Sequence, residues 1–330
     1  WSSDVCSSDL EDASYTAGVW YRRSDFDGVA RTDAAGFTIG NKGYICGGYN
    51  GKTTRLADTW EYDIDNDWWT QRADMPGTVR NAATGFPVGN KGYITTGYNP
   101  DQKYLADTWE YDPETNTWRQ MDDFKGGARY YALGFGIDNY GYVGTGYNDN
   151  YLKDFYRFDP TAAAGSQWTI VNGFGGQKRQ GATAFVINGK AYVCGGQNNN
   201  SDVSDFWCFD PSAATPWTQL RDIANTSDDD YDDDYTSIVR SYGVSFVIDG
   251  KAYLTLGSTA GGSYYSNYWI YDPETDLWEG DDLTAFEGST RIHAVCFSTG
   301  TRGIIATGGS GSSSYFDDTW ELKPYEYEEE

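Results

Sequence analysis

The string LADTWEYD stands at residues 56–63 and again, letter for letter, at residues 105–112. A chance recurrence of eight mixed apolar, acidic and aromatic letters is very improbable. The spacing is that of one supersecondary unit, so the chain reads first as a repeat protein. Working outward, each copy sits in the same order of features. Upstream lies an Arg, then small residues, then a Phe: RTDAAGF (31–37), RNAATGF (80–86) and RYYALGF (129–135). Three later copies follow in RQGATAF (179–185), RSYGVSF (240–246) and RIHAVCF (291–297).

After each Phe comes a turn such as NKG, NGK or DGK, the signal of a tight hairpin. A second strand then ends in a Gly-rich step: YICGG, YITTG, YVGTG, YVCGG, YLTLG and IIATGG. A loop of variable length leads to a third strand, DTWEYD twice, then DFYRFD, DFWCFD, NYWIYD and DTWELK. A fourth strand carries Trp69, Trp118, Trp168, Trp217 or Trp278. Four short strands at a period of roughly fifty residues predict an all-β fold, a six-bladed β-propeller with four antiparallel strands per blade. The sixth unit ends without a fourth-strand Trp, whereas VWYRRSDF at residues 19–26 matches the fourth strands elsewhere. The N-terminal strand is therefore expected to complete the last blade, which leaves no open sheet edge.

The Gly-Gly step, the Tyr or Trp of the third strand and the Trp of the fourth resemble the kelch motif, from about residue 20 to residue 323. The resemblance implies a kelch-repeat β-propeller of bacterial type, similar at the level of single blades to the N-acetylneuraminate epimerases and to galactose oxidase-like propellers. A galactose oxidase copper site needs two His and two Tyr, and this chain has 1 His, so that site cannot be built. No segment matching the epimerases' catalytic residues is found, so no catalytic residue, cofactor or metal is assigned.

Composition excludes other classes. The formal charge of −25 repels nucleic-acid phosphates and anionic membrane surfaces. An aromatic content of 17% is too high for a disordered acidic chain. No run of eighteen apolar residues is present to span a membrane. Residues 1–10, WSSDVCSSDL, back-translate to the end of a common short-read sequencing adapter; they are expected to be foreign and irregular, with the native start and any signal peptide lost. The propeller is expected over 11–323, followed by a loose acidic tail at 324–330.

In such a fold the starts of the first and third strands and the end of the second share one face. Arg31, Arg80, Arg129, Arg179, Arg240 and Arg291 are expected to ring the channel mouth there. Tyr49, Asn50, Tyr98, Asn99, Tyr147 and Asn148 of the three GYN steps, with Asn198 and His293, complete the candidate binding site. Converging guanidinium forks suit carboxylates, and the Tyr rings suit sugar faces. The competing reading pairs each Arg with Asp58, Asp107, Asp154, Asp205 or Asp318, with Asn267 replacing the Asp in the fifth unit.

The function expected is thus a monomeric binding module, secreted, periplasmic or on the cell surface, holding an anionic small molecule, glycan or acidic peptide. A sugar-acid epimerase and a scaffold for protein contacts are the alternatives. Cys46, Cys194, Cys208 and Cys296 are expected as free, mostly buried thiols. The acidic insertion at 225–237, NTSDDDYDDDYTS, is expected to be a solvated, mobile loop.

Overall fold

The structure is a computed structural model that describes residues 15–51 and 54–329. Six four-stranded antiparallel sheets follow one another around an axis. Blade 1 comprises Ala35–Ile39, Lys42–Cys46, Thr59–Asp63 and Trp68–Arg72, and blades 2 to 5 repeat that order. The inner hairpins turn where positive φ is needed. Asn188 and Gly189 (φ 50° and 73°) and Asp249 and Gly250 (φ 49° and 81°) make the tight turns that NG and DG foretell.

Blade 6 contains Val295–Ser298, Gly303–Ala306, Thr319–Glu329 and, as its outer strand, Tyr15–Arg23. Val19 pairs with Lys323 and Arg22 with Trp320, so the ring closes between the two ends of the described chain, as expected. Trp20 packs edge-on against Phe246, Tyr268 and Phe286. At this seam the buried Glu321 carboxylate receives Arg23, Arg302 and Lys323. Those cations outweigh the effect of burial and hold its pKa at about 2.

Adjacent blades lock through the inner-strand Phe. A Cβ on Gly92 would stand 2.0 Å from the Phe37 ring, and one on Gly141 would stand 2.2 Å from Phe86. The Gly of the second strand therefore exists to let the Phe of the preceding blade lie flat on it, and Ala191 and Ala252 take that place in blades 4 and 5.

Two expectations need correction. Residues 324–329 are not a loose tail, because the strand continues to Glu329 and pairs with Tyr15–Ala17. Ladder hydrogen bonds outweigh the repulsion between neighbouring acids there, and the Tyr21 hydroxyl donates to Glu326. The acidic insertion is not simply a solvated loop. It forms a short 3-10 helix, Asp230–Asp232, and buries Asp232 and Tyr235. Tyr235 enters the core between blades 4 and 5, and its hydroxyl accepts the Trp278 backbone N–H at 2.8 Å. The expectation for residues 1–10 lies outside the described residues.

Cys46, Cys194, Cys208 and Cys296 are free thiols, Cys46 and Cys194 being buried. Burial pushes the Cys46 and Cys296 thiols up to about 11, which keeps them protonated. Among the described residues no helix is long and apolar enough to cross a membrane.

Candidate functional site at the channel mouth

The six arginines do form a ring, but not one that opens on the channel. Each is 0–1% exposed. In every blade Nε donates to the carbonyl two residues earlier and Nη1 to the carbonyl of the Gly-rich step sixteen residues later, as in Arg31 to Val29 and Gly47. The remaining donors meet the third-strand acid. Arg31 grips Asp58 at 2.7 and 2.7 Å, Arg80 grips Asp107 at 2.8 and 2.6 Å, and Arg129 grips Asp154 at 2.6 and 2.9 Å. Arg179 pairs with Asp205 and Arg291 with Asp318. Burial alone would raise the pKa of Asp58, Asp107 and Asp318, but the adjacent guanidinium outweighs it and holds all three low.

The expectation that Arg31, Arg80, Arg129, Arg179, Arg240 and Arg291 face a ligand is therefore corrected. A buried guanidinium must satisfy its N–H groups inside the protein, and these do so within their own blades. Arg240 is the exception in charge, not in burial. Asn267 stands where the acid would be, and all five N–H groups go to oxygens of Ser237, Ile238, Leu256 and Asn267. Desolvation without a counter-charge lowers its pKa to about 10.

The mouth itself is built two residues further on. Asp33, Ala82, Tyr131, Gly181, Tyr242 and His293 all have positive φ, from 50° to 65°. Their backbones form a closed hydrogen-bonded circle through all six blades. Asp33 N–H donates to His293, His293 to Tyr242, Tyr242 to Gly181, Gly181 to Tyr131, Tyr131 to Ala82 and Ala82 to Asp33, over 2.8–3.4 Å. The side chains of this circle converge on the axis. His293 stacks on Tyr131 (4.9 Å, 16°) and lies 4.3 Å from the Tyr242 ring. Its Nδ1 is 2.9 Å from Asp33 Oδ1, and the Tyr131 hydroxyl donates to that oxygen, also at 2.9 Å. Gly181 leaves room between Tyr131 and Tyr242, since a Cβ there would lie 2.4 Å from the Tyr242 ring.

Below this plug the inner strands line the axial channel with small side chains. A cavity of about 120 Å³ lies directly against the plug, and further cavities of about 200 and 310 Å³ share its wall residues in turn toward the far face.

Around the plug the same face carries a belt of tyrosines. Tyr130 lies 5.8 Å from Tyr98, 5.7 Å from Tyr147 and stacks on Tyr104 at 5.6 Å. Tyr147 meets Tyr151, Tyr49 meets Tyr315, and the Arg55 guanidinium lies 4.3 Å from the Tyr49 ring. Tyr49, Tyr98, Tyr147 and His293 share this face. Asn99 does turn chemistry: its side chain donates to the Val79 carbonyl and accepts the Asp101 N–H. Asn50 and Asn148 sit in the equivalent turns, and Asn198 in a two-residue strand paired with Ser201.

Sequence reasoning missed Asp33, Tyr130, Tyr131 and Tyr242. The available signal was variation inside the repeat: after each Arg the letters run TD, NA, YY, QG, SY and IH, while the flanking frame stays fixed.

The Kelch motif model matches residues 30–76, 88–125 and 178–220. The chain is a six-bladed β-propeller that carries Kelch motifs in the matched residues. A solved structure described as "Structure of YjhT" is similar to it, with a TM-score of 0.72 and 15% sequence identity, over 90% of this chain and 95% of that one. At that identity the likeness concerns the fold, and 805 chains of solved structures share it, so it selects no activity. No curated protein matches the sequence.

Proposed function

We propose that the protein is a binding module whose tyrosine-lined face holds a carbohydrate. The observation that carries this reading is the Tyr130 cluster, with Tyr98, Tyr104 and Tyr147 around one ring and Tyr151 adjoining. Flat aromatic faces match the C–H faces of a sugar ring, and the polar tips of tyrosines match its hydroxyls. Asn50, Asn148 and Asn198 border this belt as neutral donors and acceptors. A ligand recognised mainly through its negative charge is the weaker form of the reading, because the six arginines have no donors turned toward the channel. The test is calorimetry with neutral and uronic-acid oligosaccharides on wild type, Tyr130→Ala and Tyr147→Ala. The reading expects binding that falls about tenfold or more in each variant, a loss of about 1.4 kcal/mol or more. Equal affinity in all three proteins, or no binding of any glycan, overturns it.

A further inference from the structure

The axial plug holds groups that sugar stacking does not need. His293 is the only histidine of the chain. Two lone pairs cannot face each other at the 2.9 Å between His293 Nδ1 and Asp33 Oδ1, so the Nδ1 position carries the proton. Nε2 is then the lone-pair nitrogen of the neutral ring, and no hydrogen bond from the described residues reaches it. Asp33 is fixed in turn by the Tyr131 hydroxyl at 2.9 Å and the Asn81 amide at 3.4 Å. The imidazole, Tyr131 and Tyr242 rings form a triangle of mutual contacts, with centroids 4.3–4.9 Å apart. The Tyr242 oxygen accepts N–H groups from Gln180 at 2.7 Å and Gln197 at 2.6 Å. Both of its lone pairs are thereby used, and its own proton makes no hydrogen bond to a described residue.

We propose that this cluster is a general-base centre that hydrolyses short-chain acyl esters. His293 is the base, Asp33 its positioning residue and Tyr242 the donor to the oxyanion. The cavity against the plug selects the acyl group. Its volume of about 120 Å³ is walled by His293, Asp33, Tyr131 and Tyr242 and floored by the methyls of Ala34, Ala83, Ala132, Ala182 and Ala294. Such a space accepts a short apolar stub. That the ester oxygen belongs to a carbohydrate hydroxyl rests on the carbohydrate-binding reading above; the chemistry at the plug does not.

The step balances without a cofactor. Nε2 takes a proton from water as the water oxygen bonds to the carbonyl carbon. The carbonyl π pair moves onto its oxygen, which the Tyr242 O–H meets. The intermediate then expels the alkoxide as the C–O ester bond breaks. The imidazolium returns the proton to that alkoxide, leaving a carboxylic acid and an alcohol. The titratable groups facing His293 are Asp33, Tyr131 and Tyr242; Arg291, two residues before it, is turned away onto Asp318.

The test is hydrolysis of p-nitrophenyl acetate by the full chain from pH 5 to pH 9. Wild type is expected to be at least ~100-fold above His293→Asn in kcat/KM, the contribution of a positioned base. Tyr242→Phe is expected to lose kcat about 100-fold with little change in KM. Asp33→Asn is expected to lower kcat and displace the pH at which the rate rises. Because the chain has a single histidine, carbethoxylation of wild type gives a measurement free of folding effects: activity must fall and return with hydroxylamine. Wild type no faster than His293→Asn, or a rate unmoved by carbethoxylation, overturns the proposal. The probe carries no sugar, so glycan binding can fail while this activity stands, and the reverse.

Discussion

Asp33 of the first blade and His293 of the last meet 2.9 Å apart on the propeller axis. Their contact joins the first and last blades of the repeat array. Burial alone would raise the Asp33 pKa, but its electrostatic interaction with His293 and hydrogen bonds from His293, Tyr131 and Asn81 outweigh it, and the net shift is downward. A carboxyl with a lower pKa folded than unfolded binds fewer protons in the native state. Its stabilisation is present above the unfolded value of about 3.9 and is lost as pH falls through the folded value. Asp58, Asp107 and Asp318 act in the same direction. Chemical unfolding followed from pH 7 down to pH 2 should show stability declining below about pH 4. Asp33→Asn should make that decline shallower and cost about 1–3 kcal/mol at pH 7, the scale of the hydrogen bonds its carboxylate accepts.

Closure of the ring should be energetically central. Trp20 is 3% exposed and fills the seam between the fifth and sixth blades. Trp20→Ala is expected to cost about 3–5 kcal/mol in denaturant unfolding. Removal of residues 1–23 should expose the edge of Thr319–Glu329 and produce concentration-dependent association in light scattering.

The fifth blade carries a buried cation without an acid. Asn267→Asp would give Arg240 the partner its five counterparts have. We expect a stabilisation of about 1.5–3 kcal/mol near pH 7, the scale of a hydrogen bond to a charged group, read as a raised unfolding midpoint. The gain should vanish in acid as the new carboxyl protonates.

Tyr235 tests whether the acidic insertion belongs to the core. Tyr235→Phe keeps the ring but removes the acceptor for the Trp278 N–H, at an expected cost of about 1–3 kcal/mol. Deleting residues 227–235 should cost more than the single change. Equal midpoints for the deletion and wild type would return the insertion to the status of a surface loop.

Gly181→Ala should disturb the plug itself. The new Cβ would meet the Tyr242 ring at 2.4 Å on a backbone with φ of 65°. A loss of about 1–3 kcal/mol is expected from the overpacking, with a changed near-ultraviolet circular dichroism from the displaced tyrosine.

The architecture was legible because repetition averages out local ambiguity. Six copies of Arg, Gly-rich step, third-strand aromatic and fourth-strand Trp define strands, blade number and even the splice of residues 19–23 into the last blade. The pairing of each Arg with its Asp was also readable, as one of two alternatives. Which alternative holds depended on burial, and burial is a property of the packed blade: only the structure shows each guanidinium sealed under the Gly-rich step. The site was less legible for the same reason. Asp33, Tyr131, Tyr242 and His293 are up to 260 residues apart, and no local pattern links them. A positive-φ turn at the same place in every blade swings each of these side chains onto the common axis. The one-dimensional repeat therefore determined the frame, while closing it into a circle decided which of its variable residues meet.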